Sequence, residues 1–401
     1  MARHGEVAGE KPPRYTSWMP SSSLLVIAVD GLRASALGCY GNTSYPTPAF
    51  DRLASEGVVY DRYLAESSEL AEVMDALWTG RHACEHRRAA TQLSLPEIVK
   101  AQGGRSWIVT DQASLAEHPA ASAWDEIVLV GQGGATMADD PFETSMGHVL
   151  ASALEIAEDL SSGEQPSVLW VQMRGMEAPW DAPPELALRL RDDEEDPTWE
   201  PSLEIPRFDS HGDDDHDRTF AASCRYAGQV MALDHCLGAL LAELDSEPRW
   251  DVLALGLRGF ALGEHGSVGY PVPYREQLHL PLCYRSADCK HRLTRVADLV
   301  QPSDLFPWLS QFPRLDASPR PQRTVAMAHV GCRFAVTVEK WTGVEQADSN
   351  DEVKLELYVE PDDRWQSNNV ASRCEEEAEE LARICQQARE GGELAPLTAR
   401  F

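Results

Sequence analysis

Apolar residues follow two rhythms along this chain. Leu24 to Val29 is an unbroken aliphatic run, the pattern of a strand buried on both faces of a parallel sheet. It delivers Asp30 to the strand end. Gly38, Gly41 and Asn42 mark a loop, after which Thr47 and Pro48 read as the N-cap and first residue of a helix. That helix carries Phe50, Leu53 and Ala54 and stops at Gly57. Leu70 to Trp78 and Leu95 to Gln102 have helical spacing, the latter ended by Gly103 and Gly104. Trp107–Val109, Ile127–Val130, Val168–Val171 and Val252–Leu255 are short buried strands. Between the last two, Tyr226, Val230, Leu233, Leu237, Leu240 and Leu244 recur every three or four residues, an amphipathic helix. Strands alternating with helices imply a parallel sheet with helices on both faces.

Two segments break this pattern. Residues 191–217 hold twelve acidic and two basic residues and read as a long acidic surface insertion. From residue 323 the rhythm changes to strands at 324–330, 332–339 and 353–360, with 341–351 as a connecting loop. A charged helix follows from Glu375 to Arg389. Strands in succession and then one helix describe a small antiparallel α+β subdomain over 323–401. Residues 1–23 read as a polar, flexible leader, and 24–322 as the main α/β domain.

The chain has 401 residues, 43% of them hydrophobic, enough for a substantial core. Its formal net charge of −30 argues against nucleic acid or an anionic membrane as partner. The nine cysteines are scattered with no C-x-x-C, which suits reduced thiols better than a disulfide framework. No apolar leader segment or membrane-length run appears, so a cytoplasmic location is expected.

A set of ordered motifs carries a resemblance. Val29-Asp30-Gly31-Leu32-Arg33, Leu37-Gly38-Cys39-Tyr40-Gly41, Thr47-Pro48-Ala49-Phe50-Asp51-Arg52-Leu53-Ala54 and Thr79-Gly80-Arg81 come first. Glu177-Ala178-Pro179-Trp180, Leu233-Asp234, Leu262-Gly263-Glu264-His265-Gly266 and Ser303-Asp304-Leu305-Phe306-Pro307 follow in the same order as in the sulfatases. A segment from Leu355-Glu356-Leu357-Tyr358 to Asn368-Asn369-Val370-Ala371 completes the series. The chain resembles a sulfatase of the alkaline phosphatase superfamily over nearly its whole length. The implied fold is a three-layer α/β/α sandwich with a small C-terminal antiparallel α+β subdomain.

The resemblance also assigns positions to the chemistry. Sulfatases bind a divalent cation through several oxygen or imidazole ligands, beside a nucleophile derived from Cys or Ser. Cationic side chains then neutralise charge on the transferred group. Of the metal ligands, Asp30 is retained. Gly31, Leu257 and Arg258 replace the others. The nucleophile position holds Leu70, the motif arginine position Met74, the lysine position Asp111 and the histidine position Glu177. One carboxylate is too few for a hard dication that takes about six oxygen ligands. Either Arg258 takes the place of the cation and pairs with Asp30, or it points to solvent.

The first expectation is therefore a sulfatase-fold protein without hydrolase activity, with no cofactor and a binding, regulatory or structural role. Its protein or small-molecule partner cannot be named from sequence. Arg258, His265 and His279, with Tyr274 and Arg275 nearby, are candidate pocket residues. The alternative is an active hydrolase of sulfuric or phosphoric esters with a rebuilt site. It would use Ser67 or Ser68, and Ca or Mg held at the degenerate site, by residues 211–217, or by His82 and His86. Against it, a serine just ahead of a helix is commonly a cap, and His82-Ala83-Cys84-Glu85-His86 follows Thr79-Gly80-Arg81, where the resemblance implies an ordinary histidine-containing loop. The C-terminal sheet could also pair edge to edge with a second subunit.

Overall fold

The computed structural model describes residues 23–85, 93–131, 136–192, 195–210, 215–246, 249–315, 318–319, 323–347 and 353–390. The leader therefore lies outside the described residues up to position 22. Ser23 belongs to the first strand and is fully buried, which corrects its assignment to the leader.

In chain order the first half comprises β1 (Ser23–Val29), α1 (Pro48–Glu56), β2 (Val58–Leu64), α2 (Leu70–Thr79), α3 (Leu95–Ala101), β3 (Arg105–Thr110), β4 (Glu126–Leu129), α4 (Ser145–Ser161), β5 (Ser167–Met173) and α5 (Pro184–Leu188). Then come β6 (Phe208–Asp209), α6 (His216–Leu244), β7 (Trp250–Gly256), β8 (Ser267–Val268), α7 (Arg275–Leu278), β9 (His279–Leu280), β10 (Leu282–Arg285), β11 (Thr294–Val300) and α8 (Pro302–Leu309). The chain ends in β12 (Ala326–Val330), β13 (Arg333–Thr337), β14 (Trp341–Ala347), β15 (Val353–Val359) and α9 (Glu375–Arg389).

The main sheet has the order β11-β2-β10-β7-β1-β5-β3-β4, with β9 added against β2. Strand β1 sits near its centre, parallel to β5 and β7. Its alternate residues enter two cores. Leu24, Val26 and Ala28 face α2, α3 and α8; Leu25, Ile27 and Val29 face α1, α4 and α6. That is the three-layer arrangement, and it explains why β1 reads as a continuous apolar run. The sheet is mixed rather than wholly parallel, because β10 runs antiparallel to both β2 and β7. The parallel strands nonetheless bring the ends of β1, β3, β5 and β7 to one edge of the sheet, where the site lies.

Helix α1 shows how distant parts of the chain position one another. Its N-cap residue Thr47 makes no side-chain cap; the Thr47 hydroxyl accepts from the Gly38 amide instead. The cap comes from α6, where the two Asp234 carboxylate oxygens accept from the amides of Ala49 and Phe50 at 3.1 and 2.9 Å. A carboxylate facing free N–H groups is favourable at a helix start.

Two further expectations are corrected. Helix α6 begins at His216, so the acidic insertion ends inside a helix. Arg225, donating to the carbonyls of Ser202 and Glu204, holds the insertion against that helix. Phe208–Asp209 pairs with Ser267–Val268. The segment expected as a loop at 341–351 is β14 through Ala347, paired with both β13 and β15. Its alternation was hidden because Thr342 and Glu345 are buried, yet satisfied. The Thr342 hydroxyl donates to Glu360 at 2.8 Å, and Glu345 accepts from the Phe334 amide at 2.9 Å.

The C-terminal sheet has the order β12-β13-β14-β15 and buries Leu381, Ile384 and Cys385 of α9 against it. It is joined to the main domain at β12. The His329 amide donates to the Glu66 carbonyl, and the Ser68 amide to the His329 carbonyl.

Candidate functional site

Asp30 follows β1 and is 1% exposed. Its Oδ1 accepts from the Gly31 amide at 3.0 Å and from Arg258 Nε at 2.8 Å. Its Oδ2 accepts from Arg258 Nη2. The remaining arm of the guanidinium, Nη1, donates to the Ser68 carbonyl at 2.8 Å. Arg258 thus forms a two-pronged ion pair with Asp30 and reaches across to the segment ahead of α2. Burial works against its charge, but Asp30, together with Glu177 and Glu69, outweighs it and raises the Arg258 pKa. Planar guanidinium matches carboxylate in this way, and the charge-assisted bonds are strong ones.

The neighbouring positions are packed rather than polar. Leu257 is fully buried and its amide donates to the Val29 carbonyl. Gly31 has φ +75°, and a Cβ placed there would lie 2.6 Å from Met176 Cβ. No side chain fits that position without moving the turn after β5. Leu70 opens α2 and packs against the core beside it, and Met74, one turn on, is fully buried.

Two acids complete the surroundings. Asp111, just past β3, has Oδ1 accepting from the Arg174 amide at 2.8 Å, while its buried Oδ2 has no hydrogen-bond partner among the described residues. Burial pushes its pKa up. Glu177, in the turn after β5, accepts from Arg207 at 2.9 Å. Burial and the Asp30 charge push its pKa up; Arg258 and Arg207 pull it back. Asp30, Arg258 and Glu177 are therefore electrostatic neighbours. Arg207 was not anticipated as a site residue. The available signal was that it is one of two cations in the twelve-acid insertion.

The other candidates lie elsewhere or are otherwise engaged. His265 is stacked on Tyr274 at 3.6 Å, with ring nitrogens bonded to Glu276 and to the Gln366 carbonyl. His279 is buried; its Nε2 donates to the Asp61 carbonyl and its Nδ1 accepts from Arg275 Nε. Burial and then Arg275 hold its pKa well down, so the ring is neutral. Ser67 Oγ donates to Glu72 at 2.6 Å and accepts from the Glu69 amide at 2.9 Å. Glu72 in turn bonds His329 Nε2 at 2.7 Å. His82 has both ring nitrogens occupied, by Gln301 and by the Cys84 amide. His86 and residues 211–214 lie outside the described residues, while His216 and Asp217 belong to α6.

A sulfatase-type cation would have to share Asp30 with Arg258. Both Asp30 oxygens are taken by Arg258, and a guanidinium fills the space a ligand set would share. Among the described residues, no three His, Cys, Asp or Glu side chains form a group able to hold a metal. The residues present do not fit a divalent cation at Asp30.

A Sulfatase family model matches residues 22–312, and the chain belongs to that family. Among curated proteins it is similar to arylsulfatase D of Homo sapiens, 41% identical over 73 residues, 18% of this chain and 12% of that protein. It is likewise similar to steryl-sulfatase of Rattus norvegicus, 41% identical over 63 residues, 16% of this chain and 11% of that one. The matched stretch thus spans only about an eighth of these relatives' length. Solved structures agree over far more of the chain. The phosphonate monoester hydrolase of Agrobacterium radiobacter superposes with TM-score 0.71 at 14% identity, covering 92% of this chain and 95% of that one. A putative sulfatase from Bacteroides fragilis gives TM-score 0.65 at 15% identity, covering 96% and 98%. At these identities the likeness shows the alkaline phosphatase-like fold. Among the described residues no helix is long and apolar enough to cross a membrane.

Proposed function

We propose that this sulfatase-family chain is catalytically silent at the family's site and acts through binding, as a regulatory or structural partner. The observation that carries this reading is the two-pronged Arg258–Asp30 ion pair. A cation that polarises a sulfate oxygen must keep open coordination positions. A guanidinium is no Lewis acid and has none to offer; three of its N–H groups are bonded to Asp30 and the Ser68 carbonyl. Leu70 supplies no nucleophile. Asp111 and Glu177 stand where anion-binding cations are expected, and carboxylates there oppose an incoming sulfate.

The test is turnover of 4-nitrophenyl sulfate and 4-nitrophenyl phosphate by the purified protein with Ca, Mg, Mn or Zn. Background rates are expected under every condition. Turnover that Ser68→Ala abolishes would overturn the proposal in favour of a rebuilt hydrolase.

A further inference from the structure

All nine cysteines are free thiols, and two that lie far apart in the chain meet. Cys39 sits in the turn Gly38–Tyr40 and is half-buried; Cys283 sits in β10 and is 1% exposed. What joins them is the anchoring of that turn to the sheet. Tyr40 Oη accepts from the Leu282 amide at 2.8 Å and donates to the Tyr60 carbonyl at 3.0 Å. Arg295 Nη1 donates to the Cys39 carbonyl at 3.0 Å. Cys283 and Arg295 both stand opposite Val59, on β10 and β11 at either side of β2. Residues in register project to one face of a sheet, so this row carries Cys283 towards the turn that Arg295 holds. Cys39 packs against the core that contains Cys283 and Val59, and the two thiols are hydrogen-bonded to each other.

Their surroundings give the two sulfurs different parts. A cavity of about 220 Å³ beside β2 is lined by Tyr40, Asp61, His279 and Arg295. It brings solvent to the same turn, and Cys39 is the more exposed partner. The bond to Cys39 and then burial push the Cys283 thiol up, while Tyr40 and Arg295 act in the opposite sense and favour its thiolate. Cys39 is therefore the sulfur that a small oxidant meets first. Cys283 stands behind it, with a hydroxyl and a cation to support the attacking thiolate. The reading of the Asp30 site uses neither residue.

We propose that Cys39 and Cys283 form a reversible oxidation site that closes to a disulfide when the protein meets hydrogen peroxide. The Cys39 sulfur attacks one peroxide oxygen and the O–O bond breaks. The departing hydroxide leaves as water with the thiol proton, and Cys39 becomes a sulfenic acid. The Cys283 sulfur then attacks the Cys39 sulfur and the S–O bond breaks. That hydroxide leaves as a second water with the Cys283 proton. Two thiols and one peroxide thus yield one disulfide and two waters, and a dithiol reverses the change. The link fastens the segment entering α1 to the sheet and closes a long loop in the unfolded chain, which raises Tm.

Trypsin separates the pair, since residues 34–52 contain Cys39 alone and 276–285 contain Cys283 alone. The full chain is treated with hydrogen peroxide, its remaining thiols are alkylated in denaturant, and the unreduced digest is read by mass spectrometry. The expected product is the two peptides joined, two hydrogens lighter than their sum, and released by dithiothreitol. Tm is expected to rise with the joined product and to fall back on reduction. Cys283→Ser should abolish the joined product and leave a Cys39 sulfenic acid that dimedone labels. Cys39→Ser should abolish both the joined product and the rise in Tm. The proposal is overturned if peroxide-treated wild type yields both residues alkylated. It is overturned equally if Cys39 advances to sulfinic acid while Cys283 stays a thiol, or if either residue joins a different cysteine. None of these outcomes depends on whether the Asp30 site turns over an ester.

Discussion

Replacing Arg258 by Met removes the guanidinium and keeps much of the side-chain bulk. Asp30, 1% exposed, would then retain one hydrogen bond, from the Gly31 amide at 3.0 Å. The Ser68 carbonyl would lose its bond from Arg258 as well. Breaking a buried pair by removing one partner costs about 3–5 kcal/mol, because the other charge is stranded. The Arg258 side chain is 20% exposed, so water can enter part of the vacated space, and the lower end, about 3 kcal/mol, is expected. Asp30→Asn in the same background removes the stranded charge while keeping an acceptor for the Gly31 amide. The double variant should therefore recover much of the loss, giving a coupling energy of about 2 kcal/mol or more in a double-mutant cycle. Urea unfolding followed by tryptophan fluorescence reads this directly, since Trp170 is fully buried in the strand beside β1. A loss below about 1 kcal/mol for Arg258→Met, or additive losses in the double variant, would refute the claim that this pair holds the site together.

At Gly31, substitution by Ala should destabilise the fold by more than about 1 kcal/mol, since positive φ and a 2.6 Å approach to Met176 combine. Gly31→Asp should be worse and should not confer Ca-dependent stabilisation in a thermal melt; a rise in Tm with Ca would contradict the packing argument. The His329–Glu72 pair should make stability depend on pH. Its hydrogen bond to Glu72 raises the His329 pKa above 6.5 against the effect of burial. Burial opposes ionisation of Glu72, but bonds from His329 and Ser67 outweigh it and lower that pKa below 4.5. The histidine contribution is full below pH 6.5 and fades as pH rises through its raised folded-state value. The Glu72 contribution is full above pH 4.5 and fades as pH falls through its lowered value. The stability gap between wild type and His329→Gln should thus be widest between pH 4.5 and 6.5 and shrink towards alkaline pH. A gap that does not change from pH 5.5 to about 9 would exclude the pair as its origin.

Much of the main domain was legible because its elements are locally consistent. The β1 run, the Gly57 stop and the spacing along α6 each state one structure in one stretch of chain. The place of Asp30 at the end of β1 was also legible, since the apolar run before it fixes the strand. What the sequence hid is non-local. β14 reads as loop because its buried Thr342 and Glu345 find partners only once Glu360 and Phe334 arrive. The α1 cap was assigned to Thr47 because Asp234 lies on another helix. His265 and His279 were candidate pocket residues, yet only His279 lines the cavity beside β2; His265 stands behind it, stacked on Tyr274. The sequence leaves open whether Arg258 pairs or faces solvent, because no local pattern encodes a contact across 228 positions.

The contact between Gly31 and Met176 limits what any single substitution can do. A Cβ at 31 would stand 2.6 Å from Met176 Cβ, in the turn after β5. An aspartate cannot enter there alone, because that step creates a clash. Trimming Met176 first would open a void in a fully buried place instead. Both single steps lose stability before either gains a ligand. Two coupled changes, rather than one, separate this geometry from a second carboxylate beside Asp30.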